Sequence, residues 1–295
     1  MAKELLVIFD GNNILNRGFH AVPHLSAPDG TPTNAIKGAL NIMLKVIKDF
    51  QPTHIACVFD HRSENFRHVI FPAYKAQRER DPKKEAMLSP QKKLFRQMLK
   101  SLSMRVLHKR GLEADDVIGT LAKLSAACGI DVLIVSNDKD FGQLLDGKIR
   151  LLRVTGSGDN RAENLIGKKN CAEHIGVSFD KVIEMLMLTG DKVDNIPGVV
   201  GVAEATAAKL LAQHGSIDGI RAAESTLTPK LRQNFEMAYR QFEMTRELVT
   251  IRTNVISYDV ERLRRRKPKT AEFSKICQQL GMTELCKLAL RTLHK

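Results

Sequence analysis

The residues with the clearest chemical potential in this chain are acids. Three Val- and Ile-rich apolar runs each lead into an aspartate: Leu5–Phe9 into Asp10, His54–Phe59 into Asp60, and Val132–Val135, through Ser136 and Asn137, into Asp138. Glu113, Asp115 and Asp116 open one amphipathic stretch, Asp140 follows Asp138, and Asp191 and Asp194 precede a Pro-Gly turn. A single acid after a strand is an ordinary turn residue, and a single acid at a helix start merely complements the helix dipole. Three within four residues exceed that need, and Glu113 and Asp116 share a helix face. If folding gathers these nine carboxylates, they repel and raise one another's pKa unless cations neutralise them. Oxygen-only ligation favours Mg²⁺ or Mn²⁺ over zinc. So many acids suit two ions ~4 Å apart, the arrangement used for phosphodiester chemistry.

The elements that must position these acids alternate. Leu5–Phe9, His54–Phe59, Arg105–Leu107, Val132–Val135 and Ile149–Val154 read as strands. Asn34–Phe50, Ser89–Leu102, Glu113–Cys128 and Asp140–Leu145 read as helices by the spacing of their apolar residues. Such alternation predicts an α/β fold with a mostly parallel sheet flanked by helices, and ligands of such sheets bind at the carboxyl ends of the strands. From about Asn164 onward strand signals nearly vanish; Val182–Leu188, Ala203–Gln213 and Pro229–Ile251 have helical period. The expected division is therefore an α/β core over 1–163 and a helical region over 164–295.

Charge narrows the partner. Among 295 residues, 46 Lys and Arg against 33 Asp and Glu give +13, a surplus that favours a polyanion, nucleic acid before an anionic membrane. Between Arg62 and Arg110 fourteen basic residues face four acids, so most of the surplus sits there. Within that stretch Pro72–Pro90 has no strand pattern and is longer than an ordinary connection, as functional loops are. A second run, Arg262 to Lys269, contains no acid and reads equally as a solvated linker or an auxiliary phosphate contact. Five scattered cysteines without a Cys-x-x-Cys pair argue against a disulfide framework and fit a reducing, cytoplasmic setting. The start is too short for a signal peptide's apolar region and no run approaches the ~18 apolar residues of a membrane span, so neither secretion nor a membrane partner is expected. A basic footprint beside a carboxylate cage points to a metal-dependent nuclease.

The strings Phe9-Asp10-Gly11-Asn12-Asn13, Val58-Phe59-Asp60, Phe66-Arg67-His68, Tyr74-Lys75-Ala76-Gln77-Arg78, Glu113-Ala114-Asp115-Asp116, Ser136-Asn137-Asp138-Lys139-Asp140 and Gly190-Asp191-Lys192-Val193-Asp194-Asn195-Ile196-Pro197-Gly198 occur in this order. Together they resemble the 5′→3′ exonuclease and flap endonuclease family, over roughly Leu5 to Leu290, and the likeness is to its free-standing members. The resemblance implies a PIN-like core, a helical arch at about 72–90, and a two-metal hydrolase cutting DNA near a 5′ single-strand/duplex junction, RNA-primed ends included, as a monomer. Primer removal in replication and repair is the family's expected setting. Matched position by position, Asp10, Asp60, Glu113, Asp115 and Asp116 form the first metal group, and Asp138, Asp140, Asp191 and Asp194 the second. Lys75 and Arg78 match catalytic cations at the arch base. Tyr74 matches a residue that either stacks on an unpaired base or packs under the arch, and Arg17 a phosphate contact.

Pro197-Gly198-Val199-Val200-Gly201-Val202-Ala203-Glu204-Ala205-Thr206-Ala207 resembles a helix-hairpin-helix, at about 182–215, with Gly198, Gly201 and Thr206 facing a duplex phosphate. It departs from the pattern: Ala203 stands where a second glycine is usual, Ala205 where a lysine is usual, and Glu204 adds negative charge. A weakened duplex contact and a purely structural hairpin are equal readings, and the departure weighs against a bound monovalent cation. Two other functions compete with the nuclease: a PIN-like ribonuclease, which also gathers acids at strand ends, and a catalytically silent junction binder, which leaves nine acids without a purpose.

Overall fold

The computed structural model describes residues 3–78, 81–156 and 162–293. Its centre is one six-stranded sheet in the order β3-β2-β1-β4-β5-β6. The strands are β1 (Leu5–Asp10), β2 (His54–Val58), β3 (Arg105–Leu107), β4 (Asp131–Val135), β5 (Ile149–Thr155) and β6 (Ala162–Ile166). All neighbours pair in parallel except β5 with β6. The chain leaves β1 to pair β2 on one side and returns to pair β4 on the other, so the sheet has its switch point at β1, where a crevice opens beyond the carboxyl ends.

Strand alternation splits the core in two. Leu6, Ile8, Ala56, Val58, Val132 and Ile134 point to one face, and Val7, Phe9, Ile55, Cys57, Leu133 and Val135 to the other. The first face packs against α5 (Ala114–Ala127), α7 (Val182–Thr189), α8 (Glu204–His214), α10 (Pro229–Tyr239) and α11 (Phe242–Val249). The second packs against α1 (Gly11–Ala21), α2 (Asn34–Phe50), α4 (Pro82–Ser101), α12 (Thr270–Gln279) and α13 (Thr283–Leu293). The helical region thus wraps the sheet, sending its last two helices to the far side. Three short helices, α3 (Phe66–Ile70), α6 (Cys171–Ile175) and α9 (Ile217–Ala222), complete the order.

Three expectations change. The 72–90 stretch is not one long connection but part helix, as the helical arch implied by the resemblance requires: turns run through Gln77, residues 79–80 lie outside the described residues, and α4 begins at Pro82. Asp81 caps it by accepting from the Lys83 and Lys84 N–H groups (2.9 and 3.2 Å), and Pro82 sits in the first turn, where its missing N–H costs nothing. Pro90 lies inside the helix, which is why sequence period alone begins it near Ser89. The stretch Pro229–Ile251 is two helices broken at Arg240–Gln241, with the Tyr239 and Phe242 rings meeting edge to face across the break (5.3 Å). Polar β6 falls where strand signals fade, because as an edge strand it buries only one side.

Candidate active site

The expected acids arrive from five segments on one crevice of about 920 Å³. Asp10, Asp60, Glu113, Asp115, Asp138, Asp140, Asp191 and Asp194 line it, together with Lys75, Arg78, Lys84 and Lys139. Leu248, Val249 and Ile251 close one side. Backbone geometry delivers each acid. Asp10 caps α1, accepting from the Asn13 N–H (3.1 Å) and from the Ser136 hydroxyl (2.9 Å). Asp60 accepts from the Ala114 N–H (2.9 Å), so the acid after β2 caps the helix that bears Glu113 and Asp115. Its other oxygen accepts from the Asn12 side-chain amide. Asp138 accepts from the Asp140 N–H (2.9 Å) at the head of a short 3₁₀ turn, and Asp191 from the Val193 and Asp194 N–H groups (2.7 and 3.2 Å).

Electrostatics divide the acids. Burial above all pushes Asp10 up to about 7, aided by Asp60 and Asp138. Burial, then Asp138, holds Asp115 well above the usual carboxylate range, and the same causes act on Asp140. Asp138 is raised by burial and by Asp191 and Asp194. Glu113 is buried too, yet Lys75 and Arg67 outweigh that burial and hold it low. The Lys75 ammonium contacts Glu113 and stands 3.6 Å from Asp194, while the Arg78 guanidinium pairs with Asp194. Lys75 is held in the left-handed region (φ 58°), and its N–H donates to the Asp194 carbonyl (2.9 Å).

A raised carboxyl stabilises the fold only while protonated, so this contribution is complete below about 4 and lost as pH rises through about 7. The ion-free protein should therefore melt at progressively lower temperature over that interval in EDTA, and excess Mg²⁺ should flatten the dependence. Parallel profiles with and without Mg²⁺ would contradict the assignment.

The donors fit hard divalent ions in kind, being oxygens only and poorly neutralised. Among the described residues no three of them are already grouped as an ion-holding set. The reason is visible: the chain's own cations and the Asn12 amide hold Glu113, Asp194 and Asp60, and like charges stand apart.

Two expected residues have other work. Asp116 is not in the crevice: it is 0% exposed, bound at both oxygens by Arg67 (2.7 and 3.0 Å), and accepts the Arg252 N–H (2.9 Å). Adjacent helix positions point about 100° apart, and here Asp116 turns inward to Arg67 while Asp115 faces the crevice. Tyr74 is 4% exposed and cannot stack on a base; its hydroxyl donates to Glu113 (3.0 Å) and its ring packs under the arch. Arg17 lies beside the crevice, at a smaller cavity of about 430 Å³ with Asn13, Asn16 and Asn137, and donates to the Gly156 carbonyl.

The hairpin is formed. Gly190 and Gly198 face each other so closely that a Cβ on either would lie 2.5 or 2.4 Å from the other's backbone nitrogen. Gly201 adopts φ 84° at an exposed turn, Thr206 is half-buried, and Glu204 pairs with Lys139 from the crevice wall. Sequence reading assigned no role to Arg67, Asn12, Ser136 or Asn65, whose amide donates to Glu113 (3.0 Å). Asn12, Arg67 and Ser136 lie inside recognised strings, and that proximity was their only signal; Asn65 lies outside them.

Residues 5–176 match the family described as 5'-3' exonuclease, N-terminal resolvase-like domain, and residues 177–271 its C-terminal SAM fold. The chain is 33% identical over 286 residues to a 5'-3' exonuclease of Aquifex aeolicus, covering 96% of this chain and 94% of that protein. It is 40% identical over 275 residues to DNA polymerase I of Pseudomonas aeruginosa, covering 88% of this chain but only 28% of the relative; the chain spans about a quarter to a third of the DNA polymerase I proteins it resembles. Among solved structures, T5 5'-exonuclease with bound zinc superposes at TM-score 0.68 with 20% identity, 99% of each chain being covered. The catalytic core of Rad2 in complex with DNA substrate superposes at 0.62, with 15% identity and coverage of 99% and 93%. An acid-lined crevice at the switch point of this sheet, a helical second half and these matches agree: the chain belongs to the 5'-3' exonuclease family.

Proposed function

We propose that the crevice hydrolyses phosphodiester bonds of DNA near the junction of a 5′ single strand and a duplex. The observation carrying this is the convergence of eight acids from five segments beneath an arch base whose Lys75 and Arg78 reach into the same crevice. Asp10, Asp60, Glu113 and Asp115 would hold one divalent ion, Mg²⁺ or Mn²⁺, and Asp138, Asp140, Asp191 and Asp194 a second. When bound, such ions acidify water and stabilise the charge that develops on a phosphate.

The chain's own residues do the rest. Ser136, Asn13 and Asn12 orient Asp10 and Asp60. Lys75 and Arg78, now neutralised by Glu113 and Asp194, would transfer their charge to the entering phosphate, where it counts most in the transition state. Leu248, Val249 and Ile251 limit water on one side. Lys75→Ala should lower kcat about a hundredfold or more with little change in KM; a loss confined to KM would reduce Lys75 to a substrate anchor.

The hairpin's role in this proposal is structural. Its two facing glycines close the turn, and Glu204 is occupied by Lys139, which leaves a monovalent cation without support. A monomer acting on DNA in the cytoplasm completes the reading, in keeping with five free cysteines. The test is a 5′-labelled flap incubated with and without Mg²⁺, products being resolved to the nucleotide, beside an equivalent structured RNA. Mg²⁺-dependent cleavage near the DNA junction supports the proposal; junction binding without product, or preference for RNA, overturns it.

A further inference from the structure

The basic run at 262–269 has no part in the crevice, yet it is fixed in place. The Arg265 N–H donates to the Thr53 carbonyl (2.8 Å), the Lys269 N–H to the Ser101 carbonyl (2.8 Å), and Arg264 bridges His54 at the start of β2. The segment is therefore a strap across the amino end of β2 and the edge strand β3, at the opposite end of the sheet from the acids. Between strap and sheet lies a separate pocket of about 350 Å³ lined by Lys100, Arg105, Arg262, Arg264, Arg266 and Lys269, with no acid in its lining.

Some of this charge is spent within the fold. Arg264 pairs with Glu261 and Glu4, and Lys269 with Glu272. Among the described residues no carboxylate pairs with Lys100, Arg105, Arg262 or Arg266, although Arg105 donates to the Arg262 carbonyl (3.3 Å) and so ties the edge strand to the strap. Arg262 and Arg266 are exposed and Arg105 is half-buried, so their guanidinium forks stand open to an anion, and such forks match phosphate oxygens. The exposed large apolar residues, Val69, Val193, Val200 and Met237 chief among them, all lie elsewhere. A protein interface wants apolar anchors at its centre, whereas a nucleic-acid backbone needs only charge and donors.

We propose that this pocket binds the phosphate backbone of a distal duplex arm of the same nucleic acid whose junction occupies the crevice. The inference rests on the nucleic-acid reading of the crevice and extends it to a second contact. Six residue steps along β2 and its extension separate His54 from Asp60, roughly 20 Å of strand. A duplex arm of about 6 bp spans only about that length and falls short of the pocket, whereas one of about 24 bp is long enough to reach it when bent along the protein, a deformation that the basic contacts must offset.

The test is binding of flaps with short and long arms in EDTA, as a function of salt, for wild type and an Arg105→Gln/Arg262→Gln/Arg266→Gln variant. The variant should lose about tenfold or more in affinity for the long arm at 0.1 M salt, and its salt slope there should fall by about three. Short-arm affinity and the Mg²⁺-dependent cleavage rate at saturation should be unchanged. Equal losses on both arms, or none, overturn the proposal.

A second readout needs no variant: arginine-specific modification of the wild type by phenylglyoxal, followed by peptide mapping. Protection of Arg105, Arg262 and Arg266 by long-arm but not short-arm DNA supports the site. Equal protection by polyglutamate, or protection by inorganic phosphate and not by DNA, overturns the backbone assignment. A wild type that binds by arm length but never cuts would sink the nuclease reading and leave the pocket standing.

Discussion

An Asp138→Asn/Asp140→Asn protein should lose cleavage by at least about a thousandfold while melting higher than wild type in EDTA. Both carboxyls are half-buried near one another and held above their usual range, so in the ion-free protein they are a burden that amides remove. The turn itself should survive, because an asparagine oxygen can accept the residue 140 N–H as Asp138 does. The decisive quantity is the gain from Mg²⁺. An ion at a hundred times its dissociation constant stabilises the fold that binds it by about 2.7 kcal/mol. Wild type should show a gain larger by about that amount than the variant, which keeps only the site of Asp10, Asp60, Glu113 and Asp115; a variant that gains as much would remove these aspartates from the ion site.

Arg67→Ala should be the most destabilising single change near the crevice, at about 3–5 kcal/mol by chemical denaturation. Arg67 is 3% exposed and reaches five acceptor oxygens on two parts of the chain: both of Asp116, one of Glu113, and the carbonyls of Leu248 and Thr250. Truncation strands a carboxylate of zero exposure and cuts the tie between α5 and the end of α11. Arg67→Lys should rescue little, since a point charge cannot serve a two-oxygen fork and two carbonyls at once. Arg67→Met with Asp116→Leu should recover much of the loss, because no charge is then left unpaired. A cost below about 1 kcal/mol for Arg67→Ala would mean the clamp is solvated in solution.

The sheet was legible because apolar runs of strand length alternate with amphipathic ones, and because a buried parallel strand must be apolar on both faces. The acids were legible because each follows such a run or opens a helix. What escaped reading depends on partners far along the chain. Nothing local says that Asp116 turns inward while Asp115 faces the crevice; helix rotation decides that, and Arg67, 49 residues away, satisfies it. Tyr74 reads the same whether it stacks on a base or packs beneath an arch, and only the position of Glu113 separates the two. The break at Arg240–Gln241 carries no glycine or proline and left no mark on the period.

The root of the arch is bonded to the loop bearing the second group of acids at three points. The Lys75 N–H meets the Asp194 carbonyl, the Asn195 amide donates to the Ala73 carbonyl (2.8 Å), and the Arg78 guanidinium grips the Asp194 carboxylate. These joints gear the two parts together: under the proposed function, a strand that displaced the arch root would also shift Asp194, so strand entry and ion loading would be coupled.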